Sequence, residues 1–543
     1  MEVATAPPPP SAPADESSNG WLIPMLVLIG GMFMSLLDMT IVNVAIPTMQ
    51  RDFGVATDDV EWISTAFTLG LGVVVPLSGW LGDRLGLTKV YLACLVGFAV
   101  ASALCGLAWN LGSMVAFRIL QAVPGGILPV ITMSMIYVIV PREKMGSAMG
   151  LFGLGVVFGP AAGPTLGGYL VEYLDWRLIF YINVPVAVLA TVAAWFLIPK
   201  MAPTTSRRFD WWGFITSATG LFALLLAFSE GESWGWGSYR ILMLIVGALL
   251  LLALFVVIEL ELDEPLIDLR VFKNWMFTNS LLLIMVLIVG LFGVLFYLPL
   301  FMQADQGTQP LRTGLILLPE ALVMGVLMPI AGRLYDLIGP RWPAVIGLAI
   351  AAWGGFLLCG INPDMTDEDV ILWTCIRAFG NGLAMMPIMT AGMSAVPPGL
   401  TTSASLMNNV AQRVASALGL AALTVIASSQ SSQLMSDRSA LMPANDPRLS
   451  AHGISQQDLT GLYGYYQKLQ VEVTAQAYSD VFLVAAILTT IGIVLAMFMK
   501  KPPIPDEPAA QPAEPAAGAE PTERSAEATP PADGTVRDRE PVP

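Results

Sequence analysis

The sequence predicts an all-α integral membrane protein that crosses the bilayer fourteen times. Three observations carry this. Of 543 residues, 55% are hydrophobic and 12% charged, against about a quarter charged in a soluble domain. Fourteen apolar segments are each long enough to cross about 30 Å of hydrocarbon. Lys and Arg gather in alternate connections, the asymmetry that orients membrane helices. Apolar runs so many and so long are not the buried helices of a soluble enzyme, which is excluded.

The elements follow in order. Residues 1–20 are rich in Pro, Ala and Ser and contain no Lys or Arg. A cleavable signal peptide starts with a basic region, so the first span, 21–46, is expected to be a retained helix behind a disordered tail. It carries Asp38 in an otherwise uncharged stretch. A carboxylate there is costly, so a functional reading stands ahead of a purely structural one. The second span, 60–81, leads into Gly79-Trp-Leu-Gly-Asp83-Arg84-Leu-Gly86, expected to be a loop. The third, 90–109, holds Cys94 and Cys105, and the fourth, 112–140, buries Arg118. In the fifth, 146–171, Gly155, Gly159 and Gly163 recur every fourth residue. They share one face, on which another helix can come close. Pro160 removes a backbone donor there and can bend the helix.

The sixth span, 178–198, is followed by 211–229 and 240–260, read as an insertion. The ninth, 277–301, contains Phe292, Phe296 and Tyr297. The tenth, 313–334, carries Glu320 and runs into Gly332-Arg-Leu-Tyr-Asp336-Leu-Ile-Gly339. The eleventh, 342–361, holds Cys359, and the twelfth, 369–391, contains Cys375, Arg377 and Met385. The thirteenth, 404–428, includes Gln412-Arg413. A polar outer connection, 429–478, is expected to be helical around Leu462 to Ala477. The last span, 479–499, precedes a Pro/Ala/Glu-rich tail, 502–543, expected to be disordered.

An even number of spans puts both termini on one side. With that side inward, the inner connections hold Arg84 and Lys89, Arg142 and Lys144, Lys200, Arg207 and Arg208, Arg270 and Lys273, Arg333 and Arg341, and Lys500 and Lys501. The short outer ones hold only Arg51, Arg177, Arg240 and Arg312. Cytoplasmic termini are therefore expected. The net charge of −15 lies largely in loops and tails, with no basic patch for nucleic acid. The four cysteines all lie in apolar segments and make no disulfide framework or metal pattern. The single histidine, His452, lies in a polar loop, so no His-based metal or catalytic site is available. No Gly-x-x-x-x-Gly-Lys-Ser/Thr loop for ATP occurs. Neither enzyme activity nor a cofactor is expected.

The runs 79–86 and 332–339 both read Gly-x-Leu-x-Asp-x-x-Gly, and Arg118 in the fourth span matches Arg377 in the twelfth. With spans seven and eight as an insertion, the chain divides into an N-terminal six-helix bundle (21–200), two inserted helices (201–276) and a C-terminal six-helix bundle (277–501). Duplicated halves with a site between them mark secondary transporters.

These motifs resemble the major facilitator superfamily. The run 79–86 is similar to its loop signature, and Gly146, Gly155, Gly159-Pro160 and Gly163 have the spacing of its antiporter motif. Leu37-Asp-Met-Thr-Ile-Val-Asn-Val-Ala-Ile-Pro47 resembles the first helix of the fourteen-helix drug:proton antiporters, the EmrB/QacA-like branch. So do Asp175-Trp-Arg-Leu-Ile-Phe-Tyr-Ile-Asn-Val-Pro185 and Phe296-Tyr-Leu-Pro-Leu-Phe-Met-Gln303. Three places depart from the family: Leu87-Thr88-Lys89, where basic residues are usual, Gln121-Ala122 for Gln-Gly, and Gln412-Arg413 for Arg-Gln.

The resemblance implies export of lipophilic or cationic compounds against protons across a bacterial inner membrane. The chain is then expected to act as a monomer, with an accessory membrane-fusion protein left open. It implies that Gly79, Asp83, Arg84, Gly86 and Asp336 belong to a gating charge network, with Arg142 or Lys144 as a partner of Asp83. The helix of Gly155, Gly159, Pro160 and Gly163 would seal the two halves against leak. Export of an endogenous lipid, siderophore or antibiotic is the alternative cargo. A non-transporting sensor or scaffold is the remoter reading, since it has no use for costly intramembrane acids.

Depth arithmetic joins the buried charges. At a rise of about 1.5 Å per residue, Asp38, Arg118, Glu320 and Arg377 come out roughly 9–12 Å below the outer edge. An Asp38–Arg118 pair and a Glu320–Arg377 pair are expected. Burial favours a neutral carboxylate and a neighbouring arginine favours its anion, so contacts that change with conformation can load and release a proton. Asp38 is the expected main proton carrier, with Glu320 as a second site. Phe292, Phe296, Tyr297 and Met385 are weak candidates for an adaptable cavity wall.

Overall fold

The computed structural model describes residues 20–203, 209–262, 265–304, 306–440 and 459–500. Fourteen of its helices are long and apolar enough to cross a membrane. In chain order they are α1 (Leu22–Phe53), α2 (Trp62–Leu85), α3 (Leu87–Gly106), α4 (Leu111–Ile139), α5 (Met145–Tyr173), α6 (Leu178–Leu197), α7 (Trp211–Glu230), α8 (Tyr239–Glu261), α9 (Trp275–Ala304), α10 (Pro310–Ile338), α11 (Arg341–Leu358), α12 (Asp367–Ser394), α13 (Thr401–Ala440) and α14 (Leu459–Met497). α6 is interrupted at Ile182. Among the described residues there is no strand. All fourteen expected spans are present, and the even count puts residues 20 and 500 at the same end of the bundle, the terminal end.

Several boundaries lie further out than the apolar pattern indicates. α13 runs to Ala440 and α14 starts at Leu459, so most of the expected polar connection 429–478 is helix, including its expected helical stretch. Residues 441–458, with Arg448 and His452, lie outside the described residues, as do Arg207, Arg208, the tail 502–543 and all of 1–20 except Gly20. The run 79–86 is not a loop. It forms the last turns of α2, which continues through Gly79 and Gly82 and stops only at Gly86. Gly86 turns the chain at φ 87°, with its amide bonded to the Gly82 carbonyl at 3.0 Å. A side chain there would meet the Met201 carbonyl at 2.5 Å. Gly339, with φ 83°, ends α10 in the same way.

In the N-terminal half α1 packs along α5, α4 packs on α2 and α3, and α6 lies against α1 and α3. In the C-terminal half α12 packs on α10 and α11, while α9, α13 and α14 pack on one another. α7 rests on α2 and α13, and α8 rests chiefly on α7. α8 has a mean hydropathy of 3.4 over its most apolar stretch, of which only 17% is buried in protein. Such a surface requires lipid around it.

The halves meet mainly through α5 and α10, with α13 crossing to α2 and α4. At the terminal end the α5 and α10 backbones touch at Gly146 and Gly332. One turn further, a Cβ on Gly150 would lie 2.6 Å from the Met328 carbonyl oxygen and from Pro329 Cα. Small residues permit this approach. The sulfurs of Met328 and Met386 close over Gly153, and Phe158 meets Gly325. Beyond that level the glycine face of α5 turns to α1 of its own half. The molecule is thus closed between its halves at the terminal end.

Gly150→Ala is therefore expected to weaken the closed arrangement by ~1–3 kcal/mol, the usual cost of overpacking. Gly247→Ala, on α8 with nothing within 4 Å of the new carbon, should be neutral. Thermal unfolding in detergent compares them, and matching curves for both variants would contradict the close contact of α5 and α10.

Candidate functional site

Asp38 is fully buried, and the fold surrounds it with donors. Arg118 of α4 donates through Nη1 to Asp38 Oδ2. Gln121, one turn along the same face of α4, donates its amide nitrogen to Asp38 Oδ1 at 3.0 Å. Asn183, at the bend of α6, donates to the same oxygen at 2.9 Å. The Gln121 amide is oriented from both ends: its oxygen accepts from Arg118 at 2.7 Å, and its nitrogen also reaches Ser102 Oγ of α3 at 2.8 Å. Arg118 is held on its other side by α2. Its Nε donates to the Ile63 carbonyl at 3.2 Å, and its guanidinium lies 3.8 Å over the Phe67 ring. Ile63 and Phe67 are four residues apart, so both face the arginine.

The C-terminal half repeats the pair without the surrounding network. Arg377 of α12 donates through Nη2 to Glu320 Oε1 of α10 and through Nη1, at 3.4 Å, to the Gly290 carbonyl of α9. Among the described residues its Nε is buried without a partner. It faces a cavity with room for about one water, lined also by Asn381 and Thr489. Gly354 lets α11 come against the Arg377 backbone, where a Cβ would be 2.6 Å from its nitrogen. Glu320 keeps 15% of its side chain exposed, whereas Asp38 has none. The expected pairs are thus both formed, and they differ: one carboxylate is enclosed by three donors, and the other is partly open.

The gating residues separate into different roles. Gly79 lies where α2 passes Leu406 and Thr402 of α13, so it marks a contact between halves. Arg84 lies 5.1 Å over the Trp80 ring of its own helix. Thr88, one of the departures from the family pattern, ties down the segment after α6: it donates to the Pro199 carbonyl at 2.8 Å and accepts from the Met201 amide at 3.1 Å. Asp83 is in the last turn of α2. Asp336 of α10 crosses between the halves. It accepts the Gly146 and Ser147 amides, each at 2.9 Å, and the Ser147 hydroxyl at 2.8 Å. These are first-turn amides of α5, which have no helical acceptor and carry the positive end of the helix dipole.

The helix of the antiporter glycines meets the other half, but not through Gly155, Gly159 and Gly163. Gly155 faces Ile29, Gly159 faces Leu36 and Gly163 faces Thr40, all of α1 in the same half. The contact between halves belongs to Gly146, Gly150 and Gly153 lower on α5. Spacing alone shows that glycines share a face, not which helix covers it. Pro164 has no N–H, so the Pro160 carbonyl lacks its helical donor. The Thr40 hydroxyl supplies one at 3.1 Å. The bendable part of α5 is thereby bonded to α1 two residues beyond Asp38.

The suggested cavity wall is largely core. Tyr297 is buried, donates to Thr424 Oγ1 at 2.7 Å and packs on Tyr478. Met385 is buried and Phe292 half-buried in the main core. Phe296 is exposed. Gln121, Asn183 and Ser102 are the site residues that sequence reasoning missed. The first two lie within motif segments, and their polarity in apolar helices was the available signal.

Comparison with known proteins agrees with this architecture. Residues 28–420 match the Major Facilitator Superfamily. The chain belongs to that superfamily. It is 33% identical over 491 residues to the uncharacterized MFS-type transporter YhcA of Bacillus subtilis, covering 88% of this chain and 92% of that one. It is 30% identical over 477 residues to a multidrug resistance protein B homolog of Mycobacterium tuberculosis, covering 86% and 88%. A solved structure of the MFS proton:xylose symporter XylE matches with a TM-score of 0.56 at 15% identity, over 88% of this chain and 96% of that one, and so shares the fold. This MFS protein is a multi-pass membrane transporter, with the buried pairs inside its two halves.

Asp38→Asn leaves Arg118 buried without a counter-charge and should lower stability by ~3–5 kcal/mol. Adding Arg118→Gln should recover part of that loss, because the two residues share one network. A double-mutant cycle on detergent-solubilised protein measures this, and strictly additive losses would mean that the pair is not coupled.

Proposed function

We propose that this MFS transporter exports lipophilic organic compounds in exchange for protons, by rocking its two halves about a central cleft. The partly open Glu320–Arg377 pair carries the reading. A proton-coupled exchanger needs an intramembrane carboxylate that can reach water in one state and lose that access in another. Glu320 has a fixed arginine on one side, a small cavity behind that arginine into which Asn381 and Thr489 also face, and residual exposure of its own. Asp38 is sealed in this conformation. Protons therefore exchange at Glu320 first. The Asp38–Arg118 network responds through α1, which the Thr40–Pro160 bond ties to the bendable part of α5.

The closed contact of α5 with α10 represents one of the two end states. Its clasp is Asp336 on the α5 amides, a set of hydrogen bonds that opens without stranding a second charge. The relative named for multidrug resistance supports a drug-like cargo. The bias of basic residues supports cytoplasmic termini in a bacterial inner membrane, so the closed end faces the cytoplasm and export proceeds from the opposite opening. The energy source is the proton gradient, and no nucleotide motif is present in the sequence.

Reconstituted vesicles test the coupling with a lipophilic dye and an imposed pH gradient. Glu320→Gln should fold and still exchange dye down its gradient, but lose at least about tenfold in pH-driven uphill transport, equivalent to ~1.4 kcal/mol. Undiminished uphill transport in that variant removes Glu320 as the coupling acid.

A further inference from the structure

The third intramembrane arginine is treated unlike the other two. Arg118 and Arg377 each hold a carboxylate. Arg413 lies in α13, the C-terminal-half helix that crosses to α2 and α4. Its side chain is half-buried, and its Nη1 points to Met39 Sδ of α1 at 3.8 Å. Among the described residues that thioether is its only side-chain partner. A thioether is a weak acceptor, and a guanidinium cannot shed its charge. An uncompensated cation within the membrane is costly, so its retention calls for a partner from outside the protein.

The surroundings of Arg413 are polar on its own helix and apolar on the helix it faces. Asn409 and Ser416 lie four residues before and three after Arg413, so they share its face, and both are half-buried. The Asn409 amide nitrogen donates to the Ser405 carbonyl at 2.9 Å, which leaves its second N–H as a donor, while the Ser416 hydroxyl donates to the Arg413 carbonyl at 2.9 Å. Gln412 beside Arg413 is half-buried as well. The opposite wall is apolar: Met39 packs on Phe67, Leu71 and Ala122. A positive, hydrogen-bonding strip therefore faces an apolar wall across the junction of the halves. The neighbouring acids do not neutralise it, because Asp38 is enclosed by its own donors and Glu320 is paired with Arg377.

We propose that Arg413 binds the negative head of an amphiphilic organic anion, so that the exported compound carries a carboxylate or a similar acidic group. This rests on the exporter reading for its transport role, but not for binding. It also reverses the expectation of a cationic cargo. A cation would meet an unmatched positive charge in the cleft, whereas an anion would satisfy it.

The test uses pyrenebutyrate and its methyl ester, which share an apolar body and differ in charge. Full-length protein in lipid nanodiscs is titrated with each, with empty nanodiscs as the blank. The wild type should bind the acid at least about tenfold more tightly than the ester, the effect of one charged hydrogen bond. Arg413→Gln removes an unpaired charge and should fold. It should lose the preference by weakening the acid alone, and Arg413→Lys should keep part of it. Equal affinity for acid and ester in the wild type, or an unchanged preference in Arg413→Gln, overturns the proposal.

Vesicle flux then separates this proposal from the exporter reading. Arg413-dependent binding of the acid without pH-driven flux leaves the head-group site standing and removes the exporter. Ethidium flux untouched by Arg413→Gln, with no preference for the acid, removes the head-group site and leaves the exporter. If Arg413→Gln stops the flux of every compound while acid and ester bind the wild type equally, the proposal also fails, and Arg413 belongs to the conformational cycle.

Discussion

The hydrogen-bonded charge pair of Asp38 and Arg118 organises the N-terminal half. Through Asp38, Ile63, Ser102, Arg118, Gln121 and Asn183 it joins α1, α2, α3, α4 and α6. In hydrocarbon an unpaired carboxylate or guanidinium is expensive, so each member of this set depends on the others being in place. A buried network whose members are all satisfied rigidifies its surroundings. The network thus ties five helices of that half to one another.

The C-terminal half is built more loosely around its own pair. An arginine faces Glu320, and one nitrogen of that arginine has no partner among the described residues. Transport requires one part that holds its shape and another whose contacts can change, and the two halves differ in that sense. The junction between them follows the same division. At the terminal end, glycines let α5 and α10 touch, and Met328 and Met386 fill the remaining space with flexible thioethers. Unbranched, polarizable side chains tolerate sliding better than branched ones. Met385, the methionine expected in a cavity wall, is core, and its neighbour Met386 is the one at the contact of the halves.

Much of this was legible in the sequence. The spans follow from hydropathy, and both pairs follow from charge and depth, because a membrane leaves few places where an intramembrane acid can be satisfied. The direction of a helix face was not legible. Gly155, Gly159 and Gly163 share a face by spacing, yet whether α1 or α10 covers that face depends on how α5 is rotated in the bundle. Gln121 and Asn183 stand out in the linear pattern only by their polarity, and their role needs the bend at Ile182 and the packing of α3 on α4. The end of α2 reads as a loop in sequence because charged residues end the hydropathy signal before they end the helix. Tyr297 is core for a reason that appears only in three dimensions, in the hydroxyl of Thr424.

The same pair also bears on the order in which the chain is made. Asp38 enters the membrane 80 residues before Arg118. At about 5–20 residues per second, α1 waits several seconds for its counter-charge. Asn183 arrives later still, 145 residues after Asp38. A lone aspartate at mid-helix opposes insertion by ~2.5–3.5 kcal/mol, which the remaining apolar length of α1 must outweigh. The first helix is consequently a provisional resident of the bilayer until the fourth joins it. An insertion machinery that keeps nascent helices together shortens the interval in which that carboxylate is exposed to lipid.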